Sequence, residues 1–376
     1  MNHPRPRSAY VHVPFCRHRC GYCNFTVIAG RDDLIEGYLK AIEIELSWLG
    51  QPQPVDTLFF GGGTPTHLKP EQLSRFFQLV KKWFLPSSTA EISTEANPED
   101  IDAETVDVLE QAGVNRVSLG VQSFRDAKLQ TLERSHSADC VAECIESLRP
   151  VVRSLSLDLI FGSPTETLEQ WQADLKQALD LNPDHLSTYG LTYERGTSFY
   201  SRQQKDEIQP VAETTELAMY EFAMHTLGNA GFQHYEVSNF AKPNHRCRHN
   251  ENYWFCHPFF GVGPGASAFV DGKRQSNHRS TTKYLQSVLA GNSPIDESDE
   301  LSDIELAHER LVFGLRRLEG VNLEAFHRAT GRTVSGLVGE PLSRLVEQGL
   351  LEMNDEVIRL TKKGLIVSDA IWPHLL

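Results

Sequence analysis

The sequence predicts a parallel α/β fold, because β-rich apolar runs alternate with amphipathic helical runs from residue 8 to about 191, and polar candidate site residues stand where the apolar runs end. SAYVHVPF precedes a helical run over 33–49, VDTLFF one over 70–84, EISTEAN one over 100–111 and RVSLGVQS one over 125–149. SLSLDLIFG precedes 167–180, and HLSTYGL precedes a helix over 213–229, which completes six strand-helix units. In the first helix Leu34, Ile35, Tyr38, Leu39, Ile42, Leu46 and Leu49 recur at helical spacing, a stripe suited to covering a barrel. Residues 195–212 read as an irregular connection, and 231–295 mix strands with glycine-rich loops in no readable order. After SPIDESDE, read as an acidic linker, helices over 301–318 and 337–348 precede LLEMNDEVIRLT, a hairpin with Asn354-Asp355 at its turn. Helices followed by a hairpin predict a small winged-helix-like domain. It lacks a basic recognition helix, so packing or a lid role is expected of it rather than DNA binding. The expected divisions are 1–230, 231–295 and 296–376.

Composition narrows the function classes. The 376 residues are 40% hydrophobic and 23% charged, ordinary for a folded soluble chain, and no apolar run is long enough to span a bilayer. The start MNHPRPRSAY has basic residues but no apolar stretch after them, as a secretory leader would need. Seven cysteines, three of them clustered, do not form a disulfide framework, so a reducing cytoplasmic setting is expected. A formal net charge of -14 without a basic stripe argues against a nucleic-acid partner.

The chemistry centres on Cys16-Arg-His-Arg-Cys20-Gly-Tyr-Cys23. This loop can give three thiolates to one iron-sulfur cubane and leave one iron open to a non-protein ligand. Zinc is the alternative, but His12 and His18 do not complete the paired spacing that zinc sites use. After the second strand, Gly61-Gly62-Gly63-Thr64-Pro65 lets backbone amides and carbonyls approach a small ligand, although alone such a turn merely closes a strand-helix connection. Glu95, Gln122, Asp158 and, just beyond a strand, Arg134 stand at later strand ends, where parallel barrels place their sites. Cys140 and Cys144, at i and i+4 on one helix, could bind metal but are expected to be buried or idle thiols, and Cys256 has no assigned role.

The cysteine triad followed by these glycines resembles the radical S-adenosylmethionine superfamily. YVHVPFCxxxCxYCNF, GGGTPT, EISTEANP, GVNRVSLGVQSF and LDLIFGSP resemble, in order, its coproporphyrinogen oxidase-like branch, over nearly the whole chain. The resemblance implies a partial (β/α)6, TIM-like barrel with a small C-terminal winged-helix-like domain. It implies a [4Fe-4S] cluster on Cys16, Cys20 and Cys23, with S-adenosylmethionine held by Tyr10, Tyr22, Gly62, Gly63, Thr64, Glu95, Gln122, Arg134 and Asp158. In that branch an electron from the reduced cluster cleaves the sulfonium and releases a 5'-deoxyadenosyl radical.

Three departures separate this chain from the branch's oxidase, oxygen-independent coproporphyrinogen III oxidase. Phe25 stands where that oxidase has a further cysteine, only nine residues precede Tyr10, and Cys247-Arg-His-Asn-Glu-Asn-Tyr-Trp254 matches the HNxxYW signature of the branch's heme chaperones. That resemblance implies heme as cargo, His249 or Cys247 as an axial iron ligand, and Tyr253 and Trp254 as flat surface against the macrocycle. It also implies heme-accepting proteins as partners and a homodimer. Without the resemblance, His249 reads as a hydrogen-bonded structural histidine and the two aromatics as core residues. FFGVGPGASAF resembles the segment that follows the signature, with no ligand readable from it.

Overall fold

A computed structural model describes residues 4–376, so part of the basic start MNHPRPR lies outside the described residues. Six parallel strands, β1 (Ser8–Val13), β2 (Gln53–Gly62), β3 (Phe84–Ala96), β4 (Arg116–Gln122), β5 (Ser154–Phe161) and β6 (His185–Gly190), pair in sequence order. Their helices are α1 (Ile35–Ser47), α2 (Pro70–Trp83), α3 (Ala103–Gln111), α4 (Asp126–Thr131), α5 (Ala138–Leu148), α6 (Leu168–Asp180), α7 (Ser198–Gln203) and α8 (Glu213–Asn229). The register aligns Val13 with Gly62 and Phe60 with Thr94, so the cysteine loop, the glycines and the EAN segment emerge at one end of the sheet. β7 (Gln233–Glu236) and β8 (Asn239–Ala241) extend the β6 edge antiparallel. After α9 (Arg248–Trp254), β9 (Phe260–Val262) returns to pair parallel with β1 on the opposite edge.

The helices begin where the sequence supplies caps. Asp102 accepts from the Thr105 amide, Ser137 from that of Cys140, and Thr167 forms a capping box with Gln170. Ile35, Tyr38, Leu39, Ile42 and Leu46 of α1 are buried in the barrel core. Each such side chain contributes roughly 1.5–3 kcal/mol of burial free energy.

Four expectations need correction. The helix expected over 125–149 is two helices, because Glu133 adopts a left-handed φ of 59° and Ser137 starts a new cap. The 195–212 connection contains α7, capped by Thr197, whose hydroxyl accepts from the Tyr200 amide at 3.1 Å. SPIDESDE is no linker. After β10 (Ser267–Val270), β11 (Lys273–Asn277) and α10 (Thr281–Leu289), its residues Ile295–Glu300 form β12 beside β11. β12 is an exposed edge whose acids suit its neighbour, with Lys273 and Glu300 3.3 Å apart, and whose charge discourages further pairing. Finally, the helices expected over 301–318 and 337–348 are present as α11 (Asp303–Leu315) and α14 (Glu340–Glu347), but β13 (Val321–Asn322), α12 (Leu323–Thr330) and α13 (Val334–Val338), which the expectation left out, lie between them. Gly339, at φ 68°, separates α13 from α14.

The hairpin expected near the end is present as β14 (Leu351–Met353) and β15 (Val357–Leu360), with Asn354 Oδ1 accepting from the Glu356 and Val357 amides. β13 completes a three-stranded sheet. These elements, with α15 (Lys362–Ile366) and α16 (Ser368–Ile371), share their own apolar core, which Tyr220 and Met224 of α8 also touch. No helix among the described residues is long and apolar enough to cross a membrane.

Candidate functional site

At the C-terminal ends of the strands lies a cavity of about 1020 Å³, lined by Cys16, Cys20, Cys23, Tyr22, Gly62, Gly63, Thr64, Glu95, Gln122, Arg134 and Asp158. The structure therefore gathers every sequence-predicted cluster and cofactor residue except Tyr10 around one space. The loop turns on a Cys23 amide to Cys20 carbonyl bond of 3.0 Å, and α7 supports it from behind. There the Phe199 amide donates to the Gly21 carbonyl at 2.8 Å, and a Cβ on Gly21 would strike the Phe199 ring at 2.6 Å. None of the three thiols is in a disulfide, and burial pushes Cys16 up to about 12. A positively charged cluster would reverse that direction by taking the proton's place.

The glycines leave room that no other residue would leave. A Cβ on Gly63 would lie 2.6 Å from the Phe15 carbonyl and 3.0 Å from Cys16 Sγ, while Gly62 combines φ 108° with a Cβ position 2.1 Å from the His12 ring. Its amide donates to Glu95 Oε2 at 2.7 Å. Burial, reinforced by the nearby Asp158 charge and opposed by that amide, brings the Glu95 carboxyl up to about 7. Burial also raises Asp158, although Ser118 Oγ lies 2.9 and 3.0 Å from its two oxygens.

Arg134 projects from the break between α4 and α5. Its Nη2 donates to Asn97 Oδ1 at 2.6 Å and to the Gly120 carbonyl at 2.7 Å, Nη1 stands 3.8 Å from Cys20 Sγ, and its Nε is buried without a partner. Asn97 in turn donates to Thr64 Oγ1 at 3.0 Å, 3.6 Å from Cys16 Sγ. Sequence reasoning passed over Asn97, although it belongs to the quoted EANP segment. Gln122 takes a positive φ of 62°, a strained placement at a strand end.

The residues present fit a cluster and S-adenosylmethionine. Three unpaired thiols face one cavity, the glycine cradle has no space for side chains, and an unpartnered buried guanidinium nitrogen awaits an acceptor. Among the described residues no three ligands converge as tightly as a single ion requires. A cubane, which binds each thiolate at a different corner, needs no such convergence.

The residues read as heme contacts lie elsewhere. Tyr10, Cys247, His249 and Tyr253 border a smaller inner cavity of about 220 Å³, which meets the larger one at Glu95, Ser118, Asp158 and Tyr189. His249 is 1% exposed, with Nδ1 2.9 Å from Thr57 Oγ1 and Nε2 2.8 Å from the Tyr253 hydroxyl, and burial lowers it to about 3. It stacks on Phe59 at 5.0 Å and meets Tyr253 edge-on. Cys247 is buried, its thiol 3.7 Å from Glu91 Oε1, and Glu91 accepts from the Arg248 and His249 amides at 3.1 and 3.0 Å. α9 is thus stitched to the middle of β3, at Thr89 and Glu91, as a floor under the barrel. Tyr10 belongs to this floor side, its hydroxyl 3.0 Å from His12 Nδ1. Trp254 reaches neither cavity directly and lies under the Arg316 guanidinium at 4.6 Å. In this conformation both imidazole nitrogens of His249 are engaged, and the inner cavity is below the usual size of a drug-sized ligand's pocket. Cys140, half-buried, and the buried Cys144 and Cys256 lie outside both cavities.

Residues 10–178 match the radical SAM superfamily and residues 301–367 the HemN C-terminal domain. The chain is 35% identical to the heme chaperone HemW of Bacillus subtilis over 97% of this chain and 98% of that protein. It is 33% identical to HemW of Lactococcus lactis, covering 99% and 98% respectively. Among solved structures it resembles coproporphyrinogen III oxidase (HemN) from Escherichia coli, described as a radical SAM enzyme, with a TM-score of 0.87 and 25% identity over 99% of this chain and 90% of that one. With the superfamily's model matched over residues 10–178 and relatives 35% and 33% identical over nearly the whole chain, the chain belongs to the radical SAM superfamily, within the HemW family.

Proposed function

We propose that this protein is a heme chaperone that holds a [4Fe-4S] cluster and S-adenosylmethionine and passes heme to acceptor proteins. The observation that carries the reading is one large cavity, in which the cysteine loop, the glycine cradle and Arg134 face a remaining volume bordered by the C-terminal elements. Relatives named as heme chaperones, similar over almost their whole length, support the cargo.

Cys16, Cys20 and Cys23 would hold the cluster. Arg134 would pair with the methionyl carboxylate through Nε and a rearranged Nη, a charge-assisted contact that its present partners pre-orient. Glu95 and Asp158 would accept hydrogens from the amino or ribose groups, Gly62 and Gly63 would let the ligand touch backbone, Thr64 and Gln122 would complete the rim, and Tyr22 would screen the cluster from water. Tyr10 would act from the floor side, through the wall that the two cavities share at Glu95. When bound, the reduced cluster and S-adenosylmethionine supply one-electron cleavage of the sulfonium.

Iron ligation by His249 or Cys247 is proposed for an opened floor, in which Tyr253 has released Nε2 and Glu91 its cap on α9. A homodimer and a reducing cytoplasmic setting complete the proposal.

The test is anaerobic reconstitution followed by heme loading and mixing with an apo-hemoprotein. About four irons per chain, stoichiometric heme and heme transfer to the acceptor are expected, with iron lost in the Cys16→Ser, Cys20→Ser, Cys23→Ser triple variant. Cluster assembly without heme binding would reject the chaperone reading.

A further inference from the structure

We propose that Arg316 is the anchor for a propionate carboxylate of the bound tetrapyrrole, and that Trp254 of the HNxxYW signature serves heme through it. The inference rests on the chaperone reading above. Arg316 follows α11 and lines the large cavity on the side closed by the C-terminal elements. Its guanidinium stands over the Trp254 ring, 4.6 Å from the centroid, a cation-π contact that positions the fork.

The hydrogen-bonding capacity of this guanidinium is largely unspent. It forms an ion pair with the buried Glu236, 3.8 Å from Nη2 and beyond hydrogen-bond range, and that carboxylate already accepts from the Ser238 amide and the Asn239 side chain. Arg316 Nε is buried without any partner. An Arg fork with free donors, held over a ring and open to a cavity, is suited to a planar carboxylate. Arg134, a cation on the cysteine side of the same cavity, where Arg19 also lies, is already bonded to Asn97 and the Gly120 carbonyl. Glu213, Glu216 and Asp369 also line the cavity, so Arg316 is the place on this wall where an anionic group gains attraction. Heme carries two propionates at one edge, and anchoring one here would leave the ring plane toward the cofactor residues. The signature's Trp254, which does not reach the cavity itself, acquires a role in it by this route.

Two probes and three variants test the proposal: ferric heme and its dimethyl ester, titrated into reconstituted wild type, Arg316→Gln, Trp254→Leu and Trp254→Phe by Soret absorbance. Arg316→Gln should weaken heme binding on the order of tenfold or more and leave the ester's affinity unchanged, while wild type should bind the ester about as weakly as the variant binds heme. Trp254→Leu should weaken heme more than Trp254→Phe, which keeps a ring face. Iron content and thermal midpoint serve as controls for folding. Equal weakening of heme and ester by Arg316→Gln, or of neither, overturns the anchor while leaving the chaperone reading standing. Failure of wild type to bind either probe overturns both.

Discussion

At the residue scale, Gly62 and Glu95 carry the most exposed commitments. A methyl group at Gly62 would meet the His12 ring at 2.1 Å and hold a backbone conformation that L-residues resist. Gly62→Ala should therefore cost about 2–4 kcal/mol of stability and weaken S-adenosylmethionine binding, as thermal denaturation and calorimetry will show. An unchanged midpoint would mean that the glycine turn sits differently. Glu95 is raised from 4.5 to about 7, so the folded protein holds a proton there that the unfolded chain has lost. Its contribution to stability is thus fully present below the unfolded value and declines as pH rises toward 7. Ligand binding has the opposite sign, because hydrogen-bond donors and an ammonium group favour the ionised carboxylate. S-adenosylmethionine affinity should rise between pH 6 and 7.5 with proton release, and Glu95→Gln should flatten that rise. A slope that survives the substitution would assign the proton to another group.

The elements show what could be read in advance and what could not. The six strand-helix units were legible because period is a local property, as in the apolar residues from Leu34 to Leu49 that repeat on one face, whereas the fresh start that Ser137 caps inside 125–149 was passed over. The acidic strand β12 was not legible, since an edge strand solvated on both faces has no alternation and, after Ile295, no apolar residue. The cysteine loop, the glycines and Arg134 could be placed by motif, but the support of the loop by α7 depends on a tertiary contact between Gly21 and Phe199. α9 is the clearest case. His249 has the composition of a ligand and the surroundings of a structural residue, and only the fold puts Thr57 and Tyr253 against its two nitrogens. Tyr253→Phe leaves the floor packed but frees Nε2, at a cost of about 1 kcal/mol. If the floor opens to ligate iron, this variant should show a stronger histidine-ligated heme spectrum, and His249→Ala should lose it. Identical spectra in both variants would remove His249 from iron ligation.

For the whole molecule, the decisive arrangement is the division of one barrel into a floor and a chamber. α9 and its partners seal the N-terminal end, while Arg316 and the segment 365–369 close the chamber above the cofactor residues. The similarity to an oxidase from Escherichia coli shows that this architecture is shared by a protein that turns over a porphyrinogen, so architecture alone does not separate carrying a tetrapyrrole from transforming one. The most direct measurement is anaerobic incubation of the reconstituted protein with reductant, S-adenosylmethionine and coproporphyrinogen III, following porphyrin products and 5'-deoxyadenosine together. A heme chaperone should leave the porphyrinogen intact, whether or not 5'-deoxyadenosine forms. Decarboxylated porphyrinogen appearing in step with 5'-deoxyadenosine would contradict the account and make the chain an oxidase.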